Sequence, residues 1–154
     1  MATPTEIAQL LLKYFPERAI PGILGNIDVE TDGSFDFQQQ QKGGGNGYGL
    51  FQFDSQQEAY WDWLESTTLR DSAETQIKFV ADSIYNDKYT AQGMFSGALD
   101  IGGKNRSELR ESFTEDTDAE VATTFSNLYE RPGIPHLDRR VAAAQKYRGL
   151  FSGE

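Results

Sequence analysis

Cysteine is absent from this chain of 154 residues, and histidine occurs only once. A fold without cysteine needs no oxidising compartment and offers no thiol as a nucleophile or metal ligand. A single histidine excludes a metal site built from several histidines, and the chain holds no convincing Ser-His-Asp grouping. The sequence therefore disfavours a protease or a metal-dependent amidase, and we expect neither a metal nor a cofactor.

Long apolar runs and basic clusters are also missing. No apolar segment approaches the roughly eighteen residues that cross a bilayer, and no basic N-terminal region leads into an apolar core. The formal net charge is −10 and the sequence pI is about 4.5. Such acidity disfavours binding to nucleic acid or to anionic lipid, whose phosphates attract basic surfaces. We expect no nucleic-acid partner, no signal peptide and no membrane insertion.

Hydrophobic residues make up 38% of the chain and aromatic residues 12%, which is typical of a folded globule. We predict one domain over residues 1–154, of the α+β class and mainly α-helical. Thr3 and Thr117 are each followed three residues later by glutamate, a capping box that opens a helix. Ser55 and Asp71 show the same offset. Further helices are predicted over residues 18–30 and 138–148, whereas Gly93 and Gly97 weaken a helix over residues 91–99.

Glu30 lies near the end of the predicted helix over residues 18–30. Helical spacing places it on the same face as four apolar residues, which are Ile20, Ile23, Leu24 and Ile27. Burial and the negative end of the helix dipole both raise the pKa of a carboxyl in this position. Such a group can donate a proton near neutral pH, as cleavage of a glycosidic bond requires. The alternative is a helix-ending glutamate that faces solvent.

Residues 31–54 change in character, because Phe35 and Phe37 are followed by four glutamines and a glycine-rich run. We predict a small, irregular β-hairpin that lines a cleft, with residues 43–47 at its tip. Four of these five residues are glycine, so we expect the tip to be mobile without ligand and to close over a bound glycan. The glutamines are either a solvated spacer or hydrogen-bond partners for a sugar.

Three motifs in this order resemble known wall-degrading enzymes. Residues 46–54, Asn-Gly-Tyr-Gly-Leu-Phe-Gln-Phe-Asp, are similar to a cleft strand of goose-type lysozymes and of soluble lytic transglycosylases, with Phe51 in place of the usual methionine. Residues 22–26, Gly-Ile-Leu-Gly-Asn, residues 129–132, Tyr-Glu-Arg-Pro, and a closing arginine-rich helix resemble the phage tail-tip lysozyme family. The resemblance covers residues 5–148.

The resemblance implies a lysozyme-like fold that cleaves the β-1,4 bond between N-acetylmuramic acid and N-acetylglucosamine. It implies that Glu30 is the catalytic acid and that Asp54 positions the attacking water. Another acidic position of the family falls on Gly43 here, so Asp32 or Asp36 could also serve. If no carboxylate sits at the distance an attacking water needs, the C6 hydroxyl of the sugar replaces water, which is lytic transglycosylase chemistry.

The resemblance also suggests substrate-binding roles for Asn46, Tyr48, Gln52 and Tyr129. Strand alternation places Gln52 and Tyr48 on one face, which is either cleft or core. Tyr48 is either a core residue or a wall for a sugar ring. The late Tyr129 matches a tyrosine near the acid of the related transglycosylases.

The remaining polar and aromatic candidates have structural interpretations. We interpret Glu130 and Arg131 as a structural ion pair and His136 as a surface residue. Trp63 is predicted to lie in the core and Trp61 at the rim, or as a platform for a sugar.

The expected partner is bacterial peptidoglycan, together with other proteins of a virion or an injection machine. We expect the protein to be made in the host cytoplasm without a signal peptide and to act in the periplasm or cell wall, where it could be part of a virion. The rival class is a non-catalytic wall-binding or virion structural module that keeps the fold after losing its activity.

Overall fold

The fold was analysed in a computed structural model that describes residues 2–86 and 103–150. Seven α-helices lie in this part of the chain, which are α1 (Pro4–Leu11), α2 (Ile20–Thr31), α3 (Gln57–Glu65), α4 (Ala73–Tyr85), α5 (Gly103–Glu115), α6 (Asp118–Phe125) and α7 (Leu137–Tyr147). A 3₁₀ turn precedes α2 (Glu17–Ala19), a π turn follows α6 (Ser126–Glu130), and a second 3₁₀ turn follows α7 (Arg148–Leu150). The prediction of a mainly helical protein is confirmed. The weak helix predicted over residues 91–99 lies outside the described residues.

Two of the four predicted helix starts have the expected capping box. The Thr3 hydroxyl accepts a hydrogen bond from the Glu6 amide, while the Glu6 carboxylate accepts one from the Thr3 amide. Thr117 and Glu120 repeat this exchange at α6. The predictions for Asp71 and Ser55 were wrong. Helix α4 is capped by Ser72 rather than by Asp71, and α3 starts after Gln56 without a side-chain cap.

Helix α2 is the centre of the fold and packs against α1, α6 and α7. Its four periodic apolar residues, Ile20, Ile23, Leu24 and Ile27, are fully buried, as the spacing predicts. Two glycines allow the neighbouring helices to approach closely. A Cβ on Gly22 would lie 2.5 Å from Val121 of α6, and a Cβ on Gly25 would lie 2.5 Å from the Arg140 carbonyl oxygen of α7. The close contact at Gly25 brings α7 alongside the last turn of α2, where Glu30 lies.

The predicted β-hairpin over residues 31–54 is not confirmed. The described residues form two isolated bridges, Gln40 with Tyr48 and Tyr48 with Phe53, rather than a ladder. The reason is that the backbone turns at Gly49 and at Gln52, whose φ angles are 84° and 49°. A left-handed residue in mid-segment prevents the chain from continuing as an extended strand.

The Gln76 side chain of α4 fastens this irregular segment to the helices. Its Oε1 accepts a hydrogen bond from the Leu50 amide at 2.9 Å, and its Nε2 donates to the Phe37 carbonyl oxygen at 2.8 Å. A Cβ on Gly49 would lie 2.5 Å from the same Oε1, and the φ of 84° at this position also favours glycine. The buried side chains of Leu50 and Phe53 then pack into the core. None of the helices in the described ranges is long and apolar enough to cross a bilayer.

Candidate active site

A cleft of about 790 Å³ opens at the C-terminal end of α2. Its volume lies within the usual range of ligand pockets, about 300 to 1,000 Å³. One side is formed by helix ends and turns, and we call it the helical wall: Glu30, Glu130, His136, Arg139 and Arg140. The other side is formed by residues 39–42 and 52–56, which we call the loop wall. The cleft therefore has Glu30 on one side and Asp54 on the other.

Glu30 occupies the last turn of α2, and its side chain is 14% exposed. Its Oε1 accepts a hydrogen bond from Arg140 Nη2 at 2.7 Å. Burial raises the pKa of Glu30 above its ordinary value, and the Arg140 guanidinium and His136 act in the opposite direction. The prediction that Glu30 turns inward and is hard to ionise is confirmed, although the arginine beside it was not foreseen.

Arg140 is the fixed cation of the helical wall, and its side chain is only 2% exposed. Besides Glu30, it donates from Nη1 to Asn26 Oδ1 at 2.8 Å and from Nε to the Pro135 carbonyl oxygen at 2.6 Å. Asn26 is itself held, since its Nδ2 donates to the Gly22 and Ala122 carbonyl oxygens at 3.0 Å each. A planar guanidinium bound along three directions has one position available. The position of the Glu30 carboxyl is fixed in turn.

Glu130 is the last residue of the π turn and lines the same cleft. Its Oε1 is buried and has no hydrogen-bond partner among the described residues. Burial raises the pKa of Glu130 well above its ordinary value, the Glu30 carboxylate raises it further, and Arg140 opposes both effects. Sequence reasoning paired Glu130 with Arg131 and did not foresee that Glu130 lines the same cleft as Glu30. A π turn is itself a feature that is frequent at functional sites.

Three further carboxylates were candidates for the second acidic role. Asp54 is exposed and lies in the loop wall. Asp32 lies at the rim and accepts a hydrogen bond from Lys42 Nζ at 2.7 Å, which holds the pKa of Asp32 below its usual value. Asp36 does not line the cleft, and its carboxylate accepts a hydrogen bond from the Gln38 amide. The structure therefore leaves Asp54 and Asp32 as the exposed carboxylates of the cleft.

Glutamines supply most of the polar groups of the loop wall, and they are Gln39, Gln40, Gln41, Gln52 and Gln56. Several of them also fix the loops. Gln52 Nε2 donates to two backbone carbonyl oxygens, at 3.0 and 2.9 Å, and Gln56 Nε2 donates to the Tyr129 carbonyl oxygen at 3.1 Å. The glutamine run was interpreted either as a solvated spacer or as hydrogen-bond partners for a sugar. Its position in the cleft wall agrees with the second interpretation.

A second groove of about 510 Å³ adjoins the cleft and shares Gln40 and Asp54 with it. Asn46 lies in this groove rather than in the main cleft, beside Trp61, which is 38% exposed. The prediction for Trp63 is confirmed, because its side chain is only 1% exposed. The charged residues that line the groove are all acidic, namely Asp54, Glu58 and Asp62.

Both of the predicted substrate-binding tyrosines lie outside the lining of the cleft. Tyr129 is 1% exposed, stacks on Phe125 with ring centroids 5.2 Å apart, and its hydroxyl accepts a hydrogen bond from Ser83. A side chain enclosed in this way does not reach a substrate in the cleft, so its predicted role was wrong. Tyr48 does not line the cleft either, because its ring packs on Trp61 and its hydroxyl donates to Asp71. Gln52 does line the cleft, as predicted.

The sequence carried a signal for the missed arginine. Arg140 precedes Ala144 and Tyr147 by four and seven residues, and all three are buried on one face of α7. A charged residue in phase with the buried face of a helix indicates a buried partner of opposite charge. His136 was predicted to lie at the surface, and it is exposed but also lines the cleft.

Residues 6–151 match the sequence model of one family, described as phage tail lysozyme. No curated protein matches the chain.

Proposed function

Because the chain belongs to the phage tail lysozyme family, which indicates a peptidoglycan-degrading enzyme, we propose that Glu30 is the general acid of an N-acetylmuramidase. The bond to be cleaved is the β-1,4 bond between N-acetylmuramic acid and N-acetylglucosamine. The observation that carries this proposal is the position of Glu30. Its carboxyl faces the cleft, and burial raises its pKa even though Arg140 lies 2.7 Å away.

A raised pKa suits the chemistry of glycoside cleavage. Glu30 donates its proton to the glycosidic oxygen as the bond from that oxygen to C1 breaks, so the leaving sugar departs as an alcohol. Asp54, across the cleft on the loop wall, accepts a proton from the water that attacks C1. Solvent then returns a proton to Glu30 and removes one from Asp54, which restores both groups.

The charges of the cleft fit a polymer that carries both amides and carboxylates. Although the chain has a net charge of −10, the cleft is lined by equal numbers of acidic and cationic side chains, namely Glu30, Asp32, Asp54 and Glu130 against Lys42, Arg131, Arg139 and Arg140. The cations offset the repulsion that an acidic protein exerts on an anionic wall. The glutamine amides of the loop wall offer donors and acceptors to the acetamido and hydroxyl groups of a glycan.

The second candidate reaction is lytic transglycosylation. The exposure of Asp54 favours this reaction. An exposed carboxylate is fixed less firmly than Glu30 and therefore holds an attacking water less firmly. In that reaction Glu30 first acts as the acid and then accepts the proton of the C6 hydroxyl, which attacks C1. The product is a 1,6-anhydromuramic end.

Delivery to the wall as part of a phage tail is the third element of the proposal, and it rests on the family alone.

Replacing the proposed acid tests the function directly. We expect Glu30→Gln to fold and to lose about a hundredfold to ten-thousandfold of its activity on purified peptidoglycan, because an amide cannot donate the required proton. The matched control is Glu65→Gln in α3, an exposed residue that does not line the cleft. Activity of Glu30→Gln above a tenth of that of the unchanged protein would remove Glu30 from the acid role. Inactivity of the unchanged protein on all peptidoglycans would favour a non-catalytic module.

A further inference from the structure

One face of α3 forms a side of the groove that adjoins the cleft. Four residues of this helix line the groove and follow helical spacing, so they lie on the same side of α3: Gln57, Glu58, Trp61 and Asp62. The loop segment completes the lining with Gln40, residues 45–46 and Asp54. Because Gln40 and Asp54 also line the cleft, a ligand that extends past Asp54 enters this groove.

Hydrogen bonds hold the Trp61 side chain in one place. Its Nε1 donates to Gln57 Oε1 at 3.3 Å. The Gln57 Nε2 in turn donates to the Phe53 carbonyl oxygen at 3.1 Å and to the Asn46 carbonyl oxygen. The indole is thereby tied to the loop segment beside the groove. A ring that is ordered before binding loses little freedom when a ligand contacts it.

The Trp61 indole is supported by other rings without being covered by them. The rings of Tyr48 and Tyr60 lie at centroid distances of 5.4 and 5.0 Å, and they are tilted by 39° and 55° from the indole plane. Neither ring lies flat on the indole, and Trp61 remains 38% exposed. The groove therefore contains a fixed and accessible aromatic surface.

The charges of the groove indicate which part of a wall polymer fits there. The cleft is lined by both signs of charge, whereas the charged residues in the lining of the groove are the acidic Asp54, Glu58 and Asp62. Such a lining repels the carboxylates of a stem peptide. It does not repel a sugar ring, whose apolar C–H face packs on an aromatic ring and whose hydroxyl groups hydrogen-bond to carboxylates and amides.

We propose that this groove is a second sugar-binding subsite, in which an uncharged N-acetylglucosamine unit of the glycan strand packs on Trp61. The volume of about 510 Å³ lies within the range of ligand pockets, about 300 to 1,000 Å³. The strand that passes Glu30 in the cleft continues past Asp54 into the groove. This inference deepens the proposed function, on which it rests.

Tryptophan fluorescence of the unchanged protein tests the subsite directly. The chain has two tryptophans, and Trp63 is 1% exposed and does not line the groove, so a ligand-induced change in emission reports on Trp61. The probe is a linear oligomer of N-acetylglucosamine, which contains no bond after muramic acid. We expect a saturable change in emission with this oligomer and none with a free stem peptide. No change with the oligomer, or a change with the peptide instead, would overturn the proposal.

Substitution of the ring tests its part in turnover. On glycan strands freed of stem peptides, we expect Trp61→Ala to raise KM about threefold to tenfold and to leave kcat within about a factor of two. Trp61→Tyr should recover part of the loss, because it restores an aromatic ring. The control Leu69→Ala removes an exposed apolar side chain that lines neither the cleft nor the groove. A KM of Trp61→Ala equal to that of the control would overturn the proposal.

The two measurements separate this inference from the proposed function, since the fluorescence titration needs no cleavage. If the unchanged protein cleaves no peptidoglycan but its emission still responds to the oligomer, the enzymatic proposal fails and the sugar subsite stands. If the protein cleaves peptidoglycan while its emission does not respond, the enzymatic proposal stands and the subsite fails.

Discussion

The helical wall and the loop wall of the cleft hold their polar groups in different ways. On the helical wall, Glu30 and Arg140 are nearly enclosed, and the guanidinium is fixed along three directions. On the loop wall, Asp54 is exposed, as are the glycine-rich residues 43–46 that follow its first segment. The helical wall therefore keeps a proton-donating group in one geometry. The loop wall offers hydrogen bonds and can adjust to a polymer that enters from solvent.

The same contrast appears in how each wall is attached. Helix α7 lies so close to Gly25 that a single Cβ would reach its backbone at 2.5 Å. A Cβ on Gly44 would meet nothing within 4 Å. Close packing at Gly25 and open space at Gly44 predict that replacing glycine by alanine lowers stability by different amounts at the two positions.

The largest expected effect on stability comes from removing the buried cation. We expect Arg140→Met to lower the free energy of unfolding by about 3 to 5 kcal/mol, because the Glu30 carboxyl beside it would lose its counter-charge. Arg139→Met is the matched control on the next residue. Arg139 is exposed, lies 3.9 Å from Asp32, and should contribute less than about 1 kcal/mol. Urea unfolding measures the free energy of unfolding of both variants. Equal losses would show that Arg140 contributes no more to stability than the exposed Arg139.

The next effect concerns the loop wall and its exposed carboxylate. If Asp54 accepts the proton of the attacking water, Asp54→Asn should lose roughly a hundredfold of its activity with little change in stability. Asp62→Asn, on the adjoining groove only, should stay close to the activity of the unchanged protein. Initial rates on purified peptidoglycan measure the difference. Full activity of Asp54→Asn would assign the second role to another carboxylate or to the C6 hydroxyl of the sugar.

The smallest effects come from the glycines, and they sharpen the contrast between the walls. Gly25→Ala should cost about 1 to 3 kcal/mol of stability, since the methyl group meets the backbone of α7 rather than a side chain that can move away. For the double substitution of Gly44 and Gly45 by alanine we expect a cost of about 1 kcal/mol and weaker turnover of polymeric wall. Gly44 has a φ of 90°, and a Cβ on Gly45 would displace the Gln41 side chain.

Thermal unfolding and turnover of the same preparations distinguish the two outcomes. If the double variant loses much more stability than Gly25→Ala, while its activity per folded molecule is unchanged, the glycine loop is a strained structural turn. The expected closure of this loop over a glycan would then be wrong.

The sequence could predict features that depend on residues close together in the chain. The inward direction of Glu30 follows from the spacing of the apolar residues of α2, and the caps at Thr3 and Thr117 follow from pairs three residues apart. The failed hairpin depends on a left-handed φ of 49° at Gln52, a conformation that its residue type does not announce.

The rest of the site joins residues that are distant in the chain. Arg140 meets Glu30 across 110 positions, and Gln56 meets Tyr129 across 73. Periodicity shows which face of each helix is buried but not which helices pack together. For that reason sequence reasoning predicted a cleft role for Tyr129 and a structural ion pair for Glu130, whereas Tyr129 is buried and Glu130 lines the cleft.

The central claim is that Glu30 acts on the bond after N-acetylmuramic acid, and mass spectrometry of digested, purified peptidoglycan tests it most directly. Digestion by the unchanged protein should release disaccharide units that end in a reducing N-acetylmuramic acid, and Glu30→Gln should release almost none. Products ending mainly in 1,6-anhydromuramic acid would replace hydrolysis by transglycosylation at the same bond. Reducing N-acetylglucosamine ends, free stem peptides or undiminished release by Glu30→Gln would contradict the account.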